Sequence, residues 1–151
     1  MGDARPAAGG AAGAALIGVD VGARRVGLAA ADPTGTFASP LGTLERERPG
    51  FWAELGRACV ERGCRLLVVG LPRRLDGGEG DAAGAARRFA AQAERRLGVA
   101  TVFWDERFTT REAERALIAG GVRRAARRTR VDAVAASLIL QGYLDARRAA
   151  G

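Results

Sequence analysis

Hydrophobic positions along the chain fall into short runs whose period changes. LIGVDV, residues 16–21, is apolar apart from Asp20, and runs at 25–32 and 38–45 follow it across turns containing glycine or proline. These read as three consecutive strands. Side chains alternate along a strand, so Gly18, Asp20 and Gly22 share one face while Ile17, Val19 and Val21 take the other. The Asp20 carboxylate then looks out over bare backbone, with room for a ligand to approach. After Pro49-Gly50 the period becomes helical: a helix from Phe51 to about Arg62 carries Trp52, Leu55 and Cys59 on one side and stops at Gly63. RLLVVGLP is a short buried strand opening into the loop RRLDGGEGD. A helix from about Ala82 to Leu97 follows, with an apolar stripe of Ala82, Ala85, Ala86, Phe89 and Ala93 and with Gly98 at its end. VATVFWDERF is another strand, ending in acids. Thr109 and Glu112 then form a capping box for a helix that ends at Gly120-Gly121. The arginine-rich VRRAARRTR is a loop leading into a final helix from Val131 to about Arg147.

The order βββαβαβαα predicts an α/β fold, a five-stranded mixed sheet with helices on both faces. One domain covers residues 16–148. Residues 1–15 are a Gly/Ala-rich stretch whose glycines interrupt any apolar run, so they read as a disordered tail and not a signal peptide. No segment has the length and apolarity of a membrane span. Cytoplasmic location is the default, with no membrane partner.

Composition removes whole classes of chemistry. The formal charge is +7, and all 24 basic residues are arginine, with no lysine, histidine or asparagine. A GC-rich genome would exchange lysine for arginine without creating a net positive excess, so the basicity itself points to a polyanion such as nucleic acid. Without lysine there is no Walker P-loop and no Schiff-base enzyme. Without histidine, Ser-His-Asp and Cys-His catalysis and most zinc hydrolase sites fall away. Cys59 and Cys64 cannot supply four zinc ligands and read as reduced structural thiols, with a redox bridge the lesser alternative. Carboxylates, hydroxyls, arginines and a bound metal are left.

Three acidic positions stand in apolar or basic surroundings: Asp20 in the first strand, Asp105-Glu106 at the end of the last, and Asp132 ahead of the uncharged AVAASLIL. Each has a plain structural reading. Asp20 could make a turn or pair with Arg24 or Arg25. Glu106 could pair with Arg107 or Arg111. Asp132 could be the N3 partner of an N-cap at Thr129. Together they form a pattern able to hold divalent metal. Phosphodiester hydrolysis needs an activated water and neutralised charge, which two magnesium ions about 4 Å apart supply when clamped by carboxylates.

Four segments in order, IGVDVGARRVGLA, VVGLPRRLDGGEG, DERFTTREAE and VDAVAASLILQGYLD, resemble the signatures of the YqgF family, also called RuvX. The resemblance covers roughly residues 16–146. It implies an RNase H-like fold and a nuclease acting on structured nucleic acid, either pre-16S rRNA in ribosome biogenesis or a Holliday junction in recombination. The family's acids carry over to Asp20, to Asp132 and to the Asp105-Glu106 pair, with Glu106 favoured and Asp105 the alternative. The three would be both catalytic residues and ligands of Mg2+ or Mn2+. The GLPxxxDG loop maps onto Gly70, Leu71, Pro72, Asp76 and Gly77. Ala23 departs from the usual Thr or Ser and removes a hydroxyl, while Arg73 and Arg74 add charge to the loop.

Phosphate contacts are expected from Arg24, Arg25, Arg73, Arg74 and Arg107, and from the cluster Arg123, Arg124, Arg127, Arg128 and Arg130 ahead of Asp132. Partners would be pre-rRNA or, as the alternative, branched DNA, along with ribosomal precursor particles, the protein acting as a monomer or weak homodimer. A two-domain nucleotide-binding enzyme of the actin and sugar-kinase type also opens with Asp-x-Gly, but 151 residues leave no room for its second domain. A non-catalytic RNA-binding assembly module on the same fold is the other rival.

Overall fold

The computed structural model describes residues 15–74, 76–108 and 124–150, with side chains in the last segment from Asp132 onward. Its strands are β1 (Leu16–Val21), β2 (Arg25–Ala31), β3 (Ala38–Glu45), β4 (Leu66–Leu71) and β5 (Ala100–Asp105). Its helices are α1 (Phe51–Arg62), α2 (Asp81–Leu97) and α3 (Arg124–Ala150), and a 3-10 turn spans Glu106–Phe108. The strands form one sheet in the order β3-β2-β1-β4-β5. β1–β2 and β2–β3 are antiparallel hairpin pairs, while β1–β4 and β4–β5 are parallel. The mixed sheet follows from loop length: short turns join β1, β2 and β3, whereas each parallel neighbour is reached through a helix.

Both faces are covered. Ile17, Val19, Leu67, Val69 and Phe103 pack with Phe51 and Leu55 of α1 and Phe89 of α2. The alternate residues Leu16, Ala29, Val68 and Val102 meet Ala136, Ile139, Leu140, Tyr143 and Leu144 of α3. That α3 stripe has helical spacing and lies across β1, β2 and β3. The Gln141 side chain ties it to the sheet edge, its Oε1 accepting from the Ala38 amide at 2.9 Å and its Nε2 donating to the Thr36 carbonyl at 2.8 Å. Among the described residues no helix is long and apolar enough to cross a membrane.

Several expectations are corrected here. The stripe of α2 is Ala83, Ala86, Phe89, Ala90 and Ala93 rather than one including Ala82 and Ala85, with Phe89 at its centre packed against Phe51 and Trp52. The last strand stops at Asp105, and Glu106 turns off it. The final helix begins at Arg124 and not Val131, so the arginine-rich segment from that point is helical. Alanine and arginine, which make up all of 124–130 but Thr129, both favour helix and extend it upstream. Asp132 therefore lies more than two turns inside α3, and the N3 role beside a Thr129 cap is excluded. The helix expected after Thr109, the residue Arg123 and the tail at 1–14 lie outside the described residues.

The thiols are settled by the end of α1. Gly63 adopts the left-handed conformation (φ 63°), and the Cys64 amide donates to the Cys59 carbonyl at 2.8 Å. This is a Schellman-type end, which folds the residue after the glycine back onto the last turn. Cys59 and Cys64 are thus both buried, free and in side-chain contact. That contact with Cys59, together with burial, pushes the Cys64 thiol well above its usual range.

Candidate active site

β1, β4 and β5 run parallel, and their C-terminal ends carry the acids. Asp20 is the fifth residue of β1, paired with Gly27 of β2 on one side and one residue past the last β1–β4 pair, Val19–Val69, on the other. Glu106 follows β5 and folds across Gly70 of β4, where an added Cβ would stand 2.9 Å from the Glu106 carboxyl carbon. The two side chains meet: Asp20 and Glu106 share a hydrogen bond in a largely buried position. Burial, the Asp20 charge and that hydrogen bond push the Glu106 carboxyl up to about 8. The Asp20 carboxyl is raised as well, by burial and by the Asp132 charge, although its hydrogen bond with Glu106 works the other way. At neutral pH the pair therefore holds one proton, which Glu106 carries and Asp20 accepts.

Asp105, the alternative acid, is engaged elsewhere. Its carboxylate accepts from Arg107 Nη2 at 2.7 Å and from the Arg107 amide at 2.9 Å, and these contacts with Arg107 and the Arg73 charge hold it below its usual range despite burial. Glu106 makes the contact with Asp20, and Asp105 instead orders the turn that presents it. Arg107, expected on a phosphate, is the partner of Asp105.

Asp132 joins the neighbourhood electrostatically, since its charge is felt at Asp20, but its own carboxylate is turned to Arg25. Arg25 Nε donates to Asp132 Oδ2 at 3.3 Å. Among the described residues no three His, Cys, Asp or Glu side chains converge as they stand tightly enough to coordinate one ion. The geometry is a touching pair, Asp20 and Glu106, with a third acid nearby that is neutralised by an arginine.

The glycines have a different role from the one the strand pattern suggested. A Cβ at Gly18 would lie 2.7 Å from both the Ala136 carbonyl oxygen and the Leu140 Cβ. One at Gly27 would lie 2.0 Å from the Asp132 carbonyl oxygen. The bare face beside Asp20 is filled by α3, and these glycines let its backbone settle onto the sheet so that Asp132 reaches the acids. Gly22 serves the hairpin, its amide donating to the Arg25 carbonyl at 2.9 Å. Gly27 escaped the sequence reading. Its signal was its place in the second strand opposite Asp20, which becomes visible only once the register is known.

The remaining arginines divide by partner. Arg46 donates to the Gly22 carbonyl at 2.9 Å and braces the hairpin. Arg74 is exposed in the loop after β4, 3.8 Å from Asp76 Oδ1, and Asp76 itself accepts from the Gly78 amide at 2.7 Å. Arg73 acts on both Asp105 and Glu79 through its charge. Arg24 and Arg25 line an open cleft of about 530 Å³ together with Glu45 and Glu47. Arg124, Arg127, Arg128 and Arg130 lie on the first two turns of α3, their side chains outside the described residues.

Can the residues hold a divalent cation? The donor set is all oxygen, as magnesium and manganese prefer. Two acids kept against each other by a single proton also form a place where a cation relieves repulsion that a proton relieves only in part. By that test the pair fits.

Known proteins share both the sequence and the fold. A family model described as RuvX, Holliday junction resolvase, matches residues 14–146. A protein of Lachnospira eligens named "Putative pre-16S rRNA nuclease" is 39% identical, over 88% of this chain and 98% of its own length. A protein of the same name from Jannaschia sp. is 45% identical over 86% of this chain and 84% of its own. One from Frankia casuarinae is 48% identical over 87% of this chain and 67% of its own. Among solved structures, RuvC of Thermus thermophilus aligns with a TM-score of 0.52 at 16% identity, covering 89% of this chain and 96% of that one. That likeness bears on the fold, which is RNase H-like. With a family match over nearly all the described residues and relatives this similar along most of their length, the chain belongs to the RuvX family.

Proposed function

We propose that this protein is a divalent-metal-dependent nuclease of the bacterial cytoplasm that trims the 5′ end of pre-16S rRNA. Nuclease activity follows from family membership, and hydrolysis of phosphate esters in nucleic acid is the chemistry that this family's name and its relatives' names share. The rRNA substrate is taken from the names of relatives aligned over most of their length. The observation that carries the catalytic reading is the contact between Asp20 and Glu106 at the C-terminal ends of parallel strands.

In this reading Asp20 and Glu106 hold the cation, with Asp132 as a third ligand or a nearby charge. Bound magnesium would lower the pKa of a water and neutralise charge on the phosphate. The chain's own contribution is positional. β1 fixes the Asp20 backbone opposite Gly27 of β2, and the Asp105–Arg107 clasp fixes the turn that aims Glu106. Glu106, whose proton is held up to about 8, would have to give that proton up to serve as a ligand of the cation. Exposed Arg24 and Arg74 and the arginines opening α3 would position the backbone without reading sequence.

The family description as a Holliday junction resolvase favours a second reading, cleavage of four-way DNA junctions. Single-turnover assays of one preparation on a 5′-extended 16S rRNA precursor and on a four-way junction, each with Mg2+ and with EDTA, decide between them. The proposal expects Mg2+-dependent cleavage of the precursor at a much higher rate. Faster cleavage of the junction would assign the protein to DNA, and binding without cleavage of either would make it an assembly module.

A further inference from the structure

Arg25 forms an ion pair with an acid of the proposed centre. Its backbone is locked on both sides, by the Gly22 amide on its carbonyl at 2.9 Å and by pairing with Glu45 across the β2–β3 ladder. Its side chain is about a third exposed, and it reaches across to Asp132 Oδ2 at 3.3 Å. Charge-assisted hydrogen bonds of this kind run nearer 2.8 Å. The pair is therefore made but not tightened, and it lies beside the open cleft that Arg24 and Arg25 line.

The position of α3 is held chiefly by packing. The helix backbone is pressed into the gap over Gly27 and Gly18, and Ile139, Leu140 and Tyr143 are fully buried against the sheet. Such packing outweighs a partly exposed ion pair. The bond fixes only which way two side chains point, and each has another claim on it. Asp132 lies close enough to Asp20 to raise its carboxyl, and Arg25 borders a cleft open to solvent.

We propose that Arg25 is an exchangeable counter-ion: it neutralises Asp132 in the cation-free protein, and when a divalent cation loads it gives up Asp132 and takes a phosphate of the nucleic acid. The inference rests on the metal-dependent reading above. It makes cation binding and nucleic-acid binding mutually reinforcing through one side chain, and linkage requires the two enhancements to be equal. Arg107 cannot do this, since its guanidinium is spent on Asp105, nor can Arg46, which is held on the Gly22 carbonyl.

The test uses Mn2+ titrated by electron paramagnetic resonance and binding of a labelled RNA hairpin in EDTA or in Ca2+. Arg25→Gln removes a positive charge beside the site and should raise Mn2+ affinity about tenfold or more. Wild type should gain hairpin affinity in Ca2+, and that gain should vanish in Arg25→Gln and persist in Arg25→Lys. Asp132→Asn should release Arg25 without any cation and raise hairpin affinity in EDTA toward the wild-type value in Ca2+. That gain should disappear when Arg25→Gln is added, which separates it from the mere loss of an acid. If Arg25→Gln leaves both Mn2+ affinity and the Ca2+ gain unchanged and only lowers the thermal midpoint, Arg25 is a brace for α3 and the inference is overturned. Should Arg25→Gln not fold, an Asp132→Asn protein whose hairpin affinity in EDTA is unchanged overturns it equally. Wild type that binds no Mn2+ would refute the metal reading itself, a result distinguishable from either of these.

Discussion

A buried pair of acids sharing one proton destabilises the fold as pH rises, and Glu106→Gln measures by how much. Glu106 ionises near 4.5 in the unfolded chain and at about 8 in the folded one. The folded protein therefore keeps a proton that the unfolded chain has lost, and stability present below pH 4.5 drains away as pH climbs toward 8. Each pH unit in that window costs at most about 1.4 kcal/mol per retained proton. From pH 5 to 7.5 the ceiling is about 3 kcal/mol, and because solvent still reaches both carboxyls the expected loss is about 2 kcal/mol. The chain has no histidine to titrate in this range. Glu79 and Asp105 are held low by Arg87 and Arg107, so their contributions are lost only in acid, below the window. Gln at 106 keeps the shape and can still donate to Asp20, but has nothing to ionise. Urea unfolding in EDTA should give equal stabilities at pH 5, with Glu106→Gln about 2 kcal/mol more stable at pH 7.5, or about 4–8 °C in thermal midpoint. Parallel pH profiles for the two proteins would refute the shared-proton pair.

Gly27→Ala would place a methyl against the Asp132 backbone, so urea unfolding should show a loss of about 3 kcal/mol or failure to fold, whereas Gly50→Ala, with open space around it, should cost under about 1 kcal/mol. Asp105→Asn should lower the cleavage rate only several-fold, through a looser Arg107 turn, whereas Glu106→Gln should lower it by about a hundredfold or more; equal losses would reinstate Asp105 as a ligand. Replacing Arg124, Arg127 and Arg128 by alanine should flatten the plot of log RNA affinity against log salt by about one unit for every phosphate no longer neutralised, read from filter binding between about 50 and 200 mM salt.

The fold was legible because alternation in LIGVDV, the buried run at 66–71 and the glycines at 63 and 98 each obey a local rule, and those rules agree. The start of the last helix was not. Thr129 and Asp132 imitate a capping box, and that imitation outweighed the helix propensity of the alanines and arginines before them, which are already helical. Asp20 stood out as a charge in an apolar strand, and Glu106 was preferred to Asp105. The physical reason, that Arg107 closes on Asp105 and leaves Glu106 to Asp20, depends on a turn no spacing encodes. The glycine face beside Asp20 misled for a related reason. Missing side chains mark close approach, but the sequence does not say whether a ligand or a helix does the approaching.

Asp20→Asn tests the central claim most directly. It keeps the volume and a hydrogen-bonding partner for Glu106 while removing the charge on which the proposed cation depends. Single-turnover cleavage of the rRNA precursor in Mg2+ should be measured beside binding of the same RNA in EDTA. The account predicts a rate at least about a thousandfold below wild type, with RNA affinity equal to or above it. Cleavage within a few-fold of wild type would contradict the claim that this carboxyl pair is the catalytic centre.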